Sequence, residues 1–363
     1  MRQGWTNTKV GNILSLEYGK PLPEIKRQSS GDYPVYGANG EIDRTDQYYY
    51  NKKTIIIGRK GSAGELNLTA QKFWPLDVTY FVKFDDNKYD LKFIYFLLKQ
   101  LNLPSLAKGV KPGINRNEVY GIDIKVPNLI EQQRIVAILD QAFAAIDQAK
   151  ANTEKNLQNV RGLFDLILDN TFSNSNREWE EKRVGQVCKV IAGQSPEGKF
   201  YNNSEVGLPF YQGKKEFTTK YLGKPTTWTS SITKVAERND ILMSVRAPVG
   251  PVNFATEQIC IGRGLAAIRS TKLMEPEFVF RFLQYNEKYI VGNAGAVFSS
   301  INKAQSEDIV IPVPTIEEQR LVVSKFEILM SEVQKLKSSY QRKLVELDVL
   351  KKSILQKAFN GEL

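Results

Sequence analysis

Two stretches of this chain place an apolar residue at every third or fourth position over about forty residues, the signature of a long helix with one apolar stripe. The second stretch opens at Pro314-Thr315-Ile316, with Thr315 a candidate N-cap and Glu317-Glu318 in the first turn, favourable against the helix dipole. Its stripe runs through Leu329, Val333, Leu336, Tyr340, Leu344, Leu347, Leu350, Ile354 and Ala358, and Gly361 supplies the stop. At about 1.5 Å per residue the rod is roughly 60 Å long. An earlier stretch, from Pro127-Asn128-Leu129-Ile130, repeats this start around an E-x-Q-R core, Glu131 to Arg134 against Glu317 to Arg320, 186 residues apart. Its stripe passes Ile138, Ala142, Ile146, Ala149, Thr153, Asn156, Val160, Leu163 and Ile167, with two polar positions in mid-seam.

Such rods do not bury a narrow stripe alone, and each is the natural partner of the other. The segments before them repeat too. Val10-Gly11 aligns with Val184-Gly185, each just after a tryptophan (Trp5, Trp179), and TIIIGR, Thr54 to Arg59, aligns with ILMSVR, Ile241 to Arg246. Phe93 to Leu98 lies over Phe278 to Leu283, Ile114-Asn115-Arg116 over Ile301-Asn302-Lys303, and Asp123 to Pro127 over Asp308 to Pro312. The order never changes, while the stretches between anchors differ freely. The pattern predicts an α+β chain: two globular domains of short strands and helices (1–128 and 173–314), each followed by a long helix (129–172 and 315–363).

Charge narrows the function. The chain carries a net +10, of which residues 1–128 hold +6 and 172–314 hold +4, so the excess sits in the globular parts and favours an anionic partner such as nucleic acid. Histidine is absent, which removes the commonest general base and most zinc sites and weighs against an enzyme. Cys188 and Cys260 lie in apolar runs without metal spacing and read as core. No apolar run suits a membrane span or a signal segment, so the expected location is the cytoplasm.

Two variable domains alternating with two helices that start at a proline and an E-x-Q-R core resemble the specificity subunit of a type I restriction-modification system. The segments Ile261 to Arg269 (IGRGLAAIR) and Ala358 to Leu363 (AFNGEL) also look like signatures of that family. The resemblance implies two target recognition domains, each reading one half of a bipartite asymmetric double-stranded DNA target, and helices paired as an antiparallel coiled-coil spacer. It further implies two docked modification (methyltransferase) subunits and restriction (ATP-dependent translocase/nuclease) subunits. This chain would then hold no cofactor itself, with S-adenosylmethionine, ATP and Mg²⁺ on the partners. The alternatives are a specificity subunit of another methyltransferase/nuclease architecture and a coiled-coil scaffold that binds nucleic acid without sequence preference.

Two motifs invite other chemistry and fail on spacing. Gly193 to Phe200 is one residue short of a phosphate-binding loop, with Phe200 where Ser/Thr would hold Mg²⁺, and reads as a turn. Gly262 to Ala267 fits GxGxxA but leaves no room for the required helix, and reads as a strand with small residues. DNA readout instead calls for basic, amide and tyrosine side chains on loops. The first domain offers Tyr36, Asn39, Arg59, Lys60, Lys108, Lys111 and Arg116, and the second Tyr211, Gln212, Lys214, Lys215, Arg246, Arg263 and Lys303. Arg59 and Arg246 rank first because they follow matched strands. The repeated helix starts supply the expected partner-docking residues: Glu131, Gln133 and Arg134, then Glu317, Gln319 and Arg320.

Overall fold

The TIIIGR run forms a strand with Ile55, Ile56 and Ile57 all fully buried, because both of its faces are covered. It sits third in a four-stranded antiparallel sheet ordered Leu14–Tyr18, Thr79–Phe84, Ile55–Gly58, Leu66–Leu68. One face carries the helix Leu91–Gln100, whose Phe93, Ile94, Leu97 and Leu98 are buried. The other carries Ile56 and Phe81 against Tyr36 and Phe73. Asp90 caps that helix, its carboxylate accepting from the Phe93 amide at 2.9 Å. Tyr33–Gly37 and Gly40–Thr45 form a hairpin extended by Trp74–Pro75, and Trp5–Lys9 pairs with Asp123–Pro127 at the entry to the first long helix.

The computed structural model describes residues 4–173, 179–290 and 300–363. They divide into two compact units, 1–154 with 341–363, and 155–340, so each long helix contributes to both. In the second unit the core sheet is Cys188–Ala192, Leu265–Ser270, Ile241–Ser244, Val252–Phe254, with Pro276–Ile290 packed on it. A second sheet, of five short strands, includes Leu208–Tyr211 and Ile259–Ile261. Both cysteines are buried, and burial pushes the Cys188 thiol up to about 12. No described helix is long and apolar enough to cross a membrane.

Strand pairing corrects the repeat by one or two residues in three places. Gly58 pairs with Thr79, as Ser244 does with Leu265, so Arg59 corresponds to Val245, and Lys60 to Arg246. The amides of Arg59 and Val245 donate to Val78 and Gly264, and Lys60 and Arg246 bridge to Gly113 and Ser300. The closing strands align through Val10 N to Ile122 O and Val184 N to Ile309 O, which sets Pro127 against Pro314 rather than Pro312. Matching by letter placed an Arg on an Arg and a Pro on the nearer Pro, whereas the backbone ladder fixes the register.

At the helix starts the equivalent residues are Gln132 and Gln319. Gln132 Oε1 accepts from Asp90 N at 2.9 Å, and its Nε2 donates to Lys88 O (3.1 Å) and Pro127 O (2.9 Å). Gln319 repeats the set with Glu275 N (2.7 Å), Leu273 O and Pro314 O (both 2.9 Å). Both side chains are fully buried.

The long helices span Leu129–Phe172 and Ile316–Asn360. Their ends obey local chemistry. The Glu318 amide donates to Thr315 Oγ1, and Glu318 Oε2 accepts from Thr315 N, a capping box. Gly361 takes φ +77, the left-handed conformation that ends a helix. The stripes are less faithful: Asn156, Leu329, Leu336 and Leu350 are exposed, while Phe143, Phe326 and Leu355 are buried. Thr153 is buried with its hydroxyl returned to Ala149 O at 2.6 Å. In the first unit Lys150 meets Asp348 (2.8 Å), Lys351 meets Asp147 (2.6 Å), and Phe359 packs on Phe93. In the second unit Phe164 meets Phe326, and Phe172 packs on Phe278.

Candidate nucleic-acid interface

In the first domain the end of the Ile55–Gly58 strand and the loop after Leu106 are tied together by backbone bonds. Ile114 N donates to Arg59 O, Gly61 N to Pro112 O, and Lys108 and Gly113 exchange both bonds. This brings Arg59, Lys60, Lys108, Lys111 and Arg116 onto one surface, although up to 57 residues separate them in the chain. Lys60, Lys108 and Lys111 are exposed, and Lys108 pairs with Glu118 at 2.8 Å.

Tyr18 organises the arginines. Its half-exposed ring has the Arg59 guanidinium 5.3 Å from its centroid and that of Arg116 at 4.9 Å. Arg59 also donates Nε and Nη2 to Asp77 O (3.0 and 2.7 Å), and Arg116 donates Nη1 to Leu16 O at 3.3 Å. Two like charges are thereby held over one ring with donors left for a ligand. Sequence reading passed over Tyr18 because 41 residues separate it from Arg59 and 98 from Arg116.

A second aromatic and basic cluster flanks the hairpin. Lys72 lies over the rings of Tyr33 and Tyr48 (5.7 and 5.0 Å), and Lys20 over Tyr49 at 4.8 Å. Asn39 is exposed at the hairpin tip. Tyr36 is a correction: it is buried against Phe73, its hydroxyl accepts from Ala70 N at 3.2 Å, and burial raises its pKa.

In the second domain three segments converge on the loop Gly262 to Gly264. Gly262 N donates to Tyr211 O, Gln194 N to Ile261 O, Val245 N to Gly264 O, and Arg263 N to Ser195 Oγ. A Cβ at Gly264 would fall 2.3 Å from Gln212 O, so glycine permits the approach. Exposed Gln212, Arg246 and Arg263 emerge from these loops, with Lys214 and Lys215 on an adjoining turn. A cleft of about 210 Å³ beside them is lined by Tyr201, Phe210, Gln212 and Lys215, among others. Lys303 sits on a short helix and pairs with Glu307 at 3.3 Å. Tyr211, like Tyr36, is core: its hydroxyl donates to Gly223 O at 2.9 Å, and burial pushes its pKa up to about 12.

At the helix starts Gln133, Arg134, Glu317 and Arg320 are exposed, whereas Gln319 is buried in its hydrogen-bond set and is unavailable to a docking partner. Arg134 forms a bidentate pair with Glu131 (both contacts 2.7 Å) and donates to Leu363 O at 2.8 Å. Arg320 reaches Glu275 at 3.5 Å.

Two basic loop surfaces, one on each of two repeated domains, and long helices jointed to those domains by a buried glutamine define a nucleic-acid-binding protein of modular build. The type I restriction modification DNA specificity domain family matches residues 2–158 and 176–341, and the chain belongs to that family. It is a specificity subunit with two recognition domains. Among curated relatives, the putative type I restriction enzyme MjaX specificity subunit of Methanocaldococcus jannaschii is 32% identical over 76% of this chain and 69% of its own. The EcoDI specificity subunit of Escherichia coli is 21% identical over 99% of this chain and 88% of its own. Among solved structures, the HsdS subunit from Thermoanaerobacter tengcongensis matches with TM-score 0.74 and 26% identity, over 100% of this chain and 98% of the other. A chain described in terms of complex assembly and conformational transition of the type I R-M system matches with TM-score 0.75 and 26% identity, over 100% and 99%.

Proposed function

We propose that this chain is the non-catalytic DNA reader of its complex, with each recognition domain contacting one half of a bipartite, asymmetric double-stranded target. The observation that carries this reading is the repeated strand end. Lys60 and Arg246 hold the same backbone position in the two domains, among neighbours that differ in chemistry. A shared frame with unlike contact residues suits two unlike half-sites.

The long helices then act as an antiparallel spacer, giving the molecule a pseudo-twofold repeat. Within the first unit, Asp147 with Lys351 and Lys150 with Asp348 run in opposite chain directions, which supports that pairing. The exposed parts of the helix starts, Gln133, Arg134, Glu317 and Arg320, dock two modification subunits, and restriction subunits join the assembly. S-adenosylmethionine, ATP and Mg²⁺ belong to those partners.

The test is the methylome of a host carrying the system. Two unlike specified blocks separated by unread bases are expected, and a single continuous motif sinks the proposal. Purified chain free of partners is expected to transfer no methyl group from S-adenosylmethionine to DNA.

A further inference from the structure

The loop Lys108-Gly109-Val110-Lys111-Pro112-Gly113 projects from the first domain beside the Arg59 and Arg116 surface. Its base is closed by the reciprocal backbone bonds between Lys108 and Gly113, at 3.0 and 3.1 Å. It is also anchored to the strand end through Gly61 N to Pro112 O (3.0 Å) and the bridge from Lys60 to Gly113. At its tip Val110 is fully exposed, with exposed Lys108 and Lys111 on either side. Gly109 takes φ +94, in the left-handed region that favours glycine, at the turn just before the tip.

A single exposed apolar residue is ordinary on a protein surface. Ile25 is nearly as exposed, but it lies in a short turn between Glu24 and Lys26, side chains of opposite charge, rather than between two cations. Val110 differs in that cations flank it within a patch built to meet DNA. An apolar group carried there by two lysines needs an apolar feature on the DNA, and thymine's C5 methyl supplies one in the major groove. Valine is short and stiff at χ1, which suits packing on a methyl and lacks the reach of the Phe, Leu or Met wedges that pry base steps apart.

We propose that Val110 is a specificity-determining residue that packs on a thymine methyl in the half-site read by the first domain, while Lys108 and Lys111 engage the flanking phosphates. This rests on the DNA-reading function proposed above and adds to it one named base contact.

The test uses the full chain in complex with its modification subunits. Each thymine of that half-site is replaced in turn by deoxyuridine, which removes only the methyl. Wild type is expected to lose about three- to tenfold in affinity at one position, the worth of one buried methyl group. Val110→Ala should lose a similar factor on thymine DNA and nothing further on deoxyuridine DNA at that position. Lys111→Ala should weaken all duplexes alike and lower the salt dependence.

Equal deoxyuridine sensitivity in wild type and Val110→Ala, or none at any position, overturns the assignment while leaving the recognition function intact. Failure of the wild-type complex to prefer its target over scrambled DNA overturns both. Increased 2-aminopurine fluorescence at the contacted step, dependent on Val110, would replace the methyl contact with a wedge.

Discussion

Replacing Gln132 with leucine tests the joint between the first domain and its long helix. The substitution keeps the volume but removes one acceptor and two donor contacts, leaving Asp90 N, Lys88 O and Pro127 O without this partner at a fully buried site. An unmade buried hydrogen bond costs about 1–3 kcal/mol per group, so three groups set a floor near 3 kcal/mol. Gln133→Leu, on the exposed neighbour, should cost less than about 0.5 kcal/mol. Urea unfolding followed by circular dichroism measures both, and hydrogen exchange at the Asp90 amide should accelerate only in Gln132→Leu. Gln132→Glu adds a sign. Its second oxygen would face Lys88 O and Pro127 O, so burial and the carbonyl dipoles raise the folded carboxyl pKa above the unfolded value near about 4.3. The variant should therefore be best tolerated below that pH and lose stability as pH rises through the folded pKa. If Gln132→Leu and Gln133→Leu unfold at the same urea concentration, the buried-joint argument is wrong.

Three further outcomes follow from the structure. Arg246→Ala is expected to relax discrimination in the second half-site by about 1–3 kcal/mol, and Lys60→Ala to act on the first half-site only; competition binding with singly altered duplexes measures both. Arg281, which pairs with Glu277 at 2.7 Å and lies 4.6 Å from the Phe326 ring in a largely buried site, should destabilise the second unit by about 3 kcal/mol when changed to alanine, measured by thermal melting. A four-residue insertion between Asn152 and Asn156 adds about 6 Å of helix, close to two base pairs of DNA at about 3.4 Å each; methylome sequencing should return unchanged half-sites with a gap one or two base pairs longer.

What the sequence made legible was local. Thr315 and Gly361 were readable because a capping box and a left-handed stop depend on neighbouring residues alone. The buried strand Ile55–Gly58 was readable because an unbroken apolar run is its own signal. Tyr36 and Tyr211 were misplaced because a tyrosine with one satisfied hydroxyl is as suited to a core as to a loop surface. Gln319 was misplaced because E-E-Q-R and E-Q-Q-R match best by letter, although the shared spacing from Pro127 to Gln132 and from Pro314 to Gln319 held the right register. The pairing of Arg59 and Arg116 over Tyr18 lay beyond any local pattern, since three separate elements build it.

The corrected register also separates what the two domains hold in common from what they vary. The joint is kept bond for bond, Gln132 with Asp90, Lys88 and Pro127, and Gln319 with Glu275, Leu273 and Pro314. The strand ends keep their backbone bonds as well: Gly19 to Thr79 and Gly193 to Leu265, Lys20 to Pro75 and Gln194 to Ile261, Leu76 to Tyr36 and Gly262 to Tyr211. Apart from the glycines Gly19 and Gly193 and the buried Tyr36 and Tyr211, the side chains on those bonds are exchanged. Ala192 stands where Tyr18 does, Val245 where Arg59 does, Arg263 where Asp77 does, and Gln194 where Lys20 does. The second domain therefore has no tyrosine at the position of Tyr18, and the loop position that is acidic Asp77 in the first domain is basic Arg263 in the second. Among the candidate contact residues two cationic positions survive the exchange, Lys60 or Arg246 and Arg116 or Lys303, each a point charge in one domain and a planar fork in the other. A fixed charge with substituted surroundings is the arrangement by which one backbone frame can meet DNA in the same pose twice and ask for different bases each time.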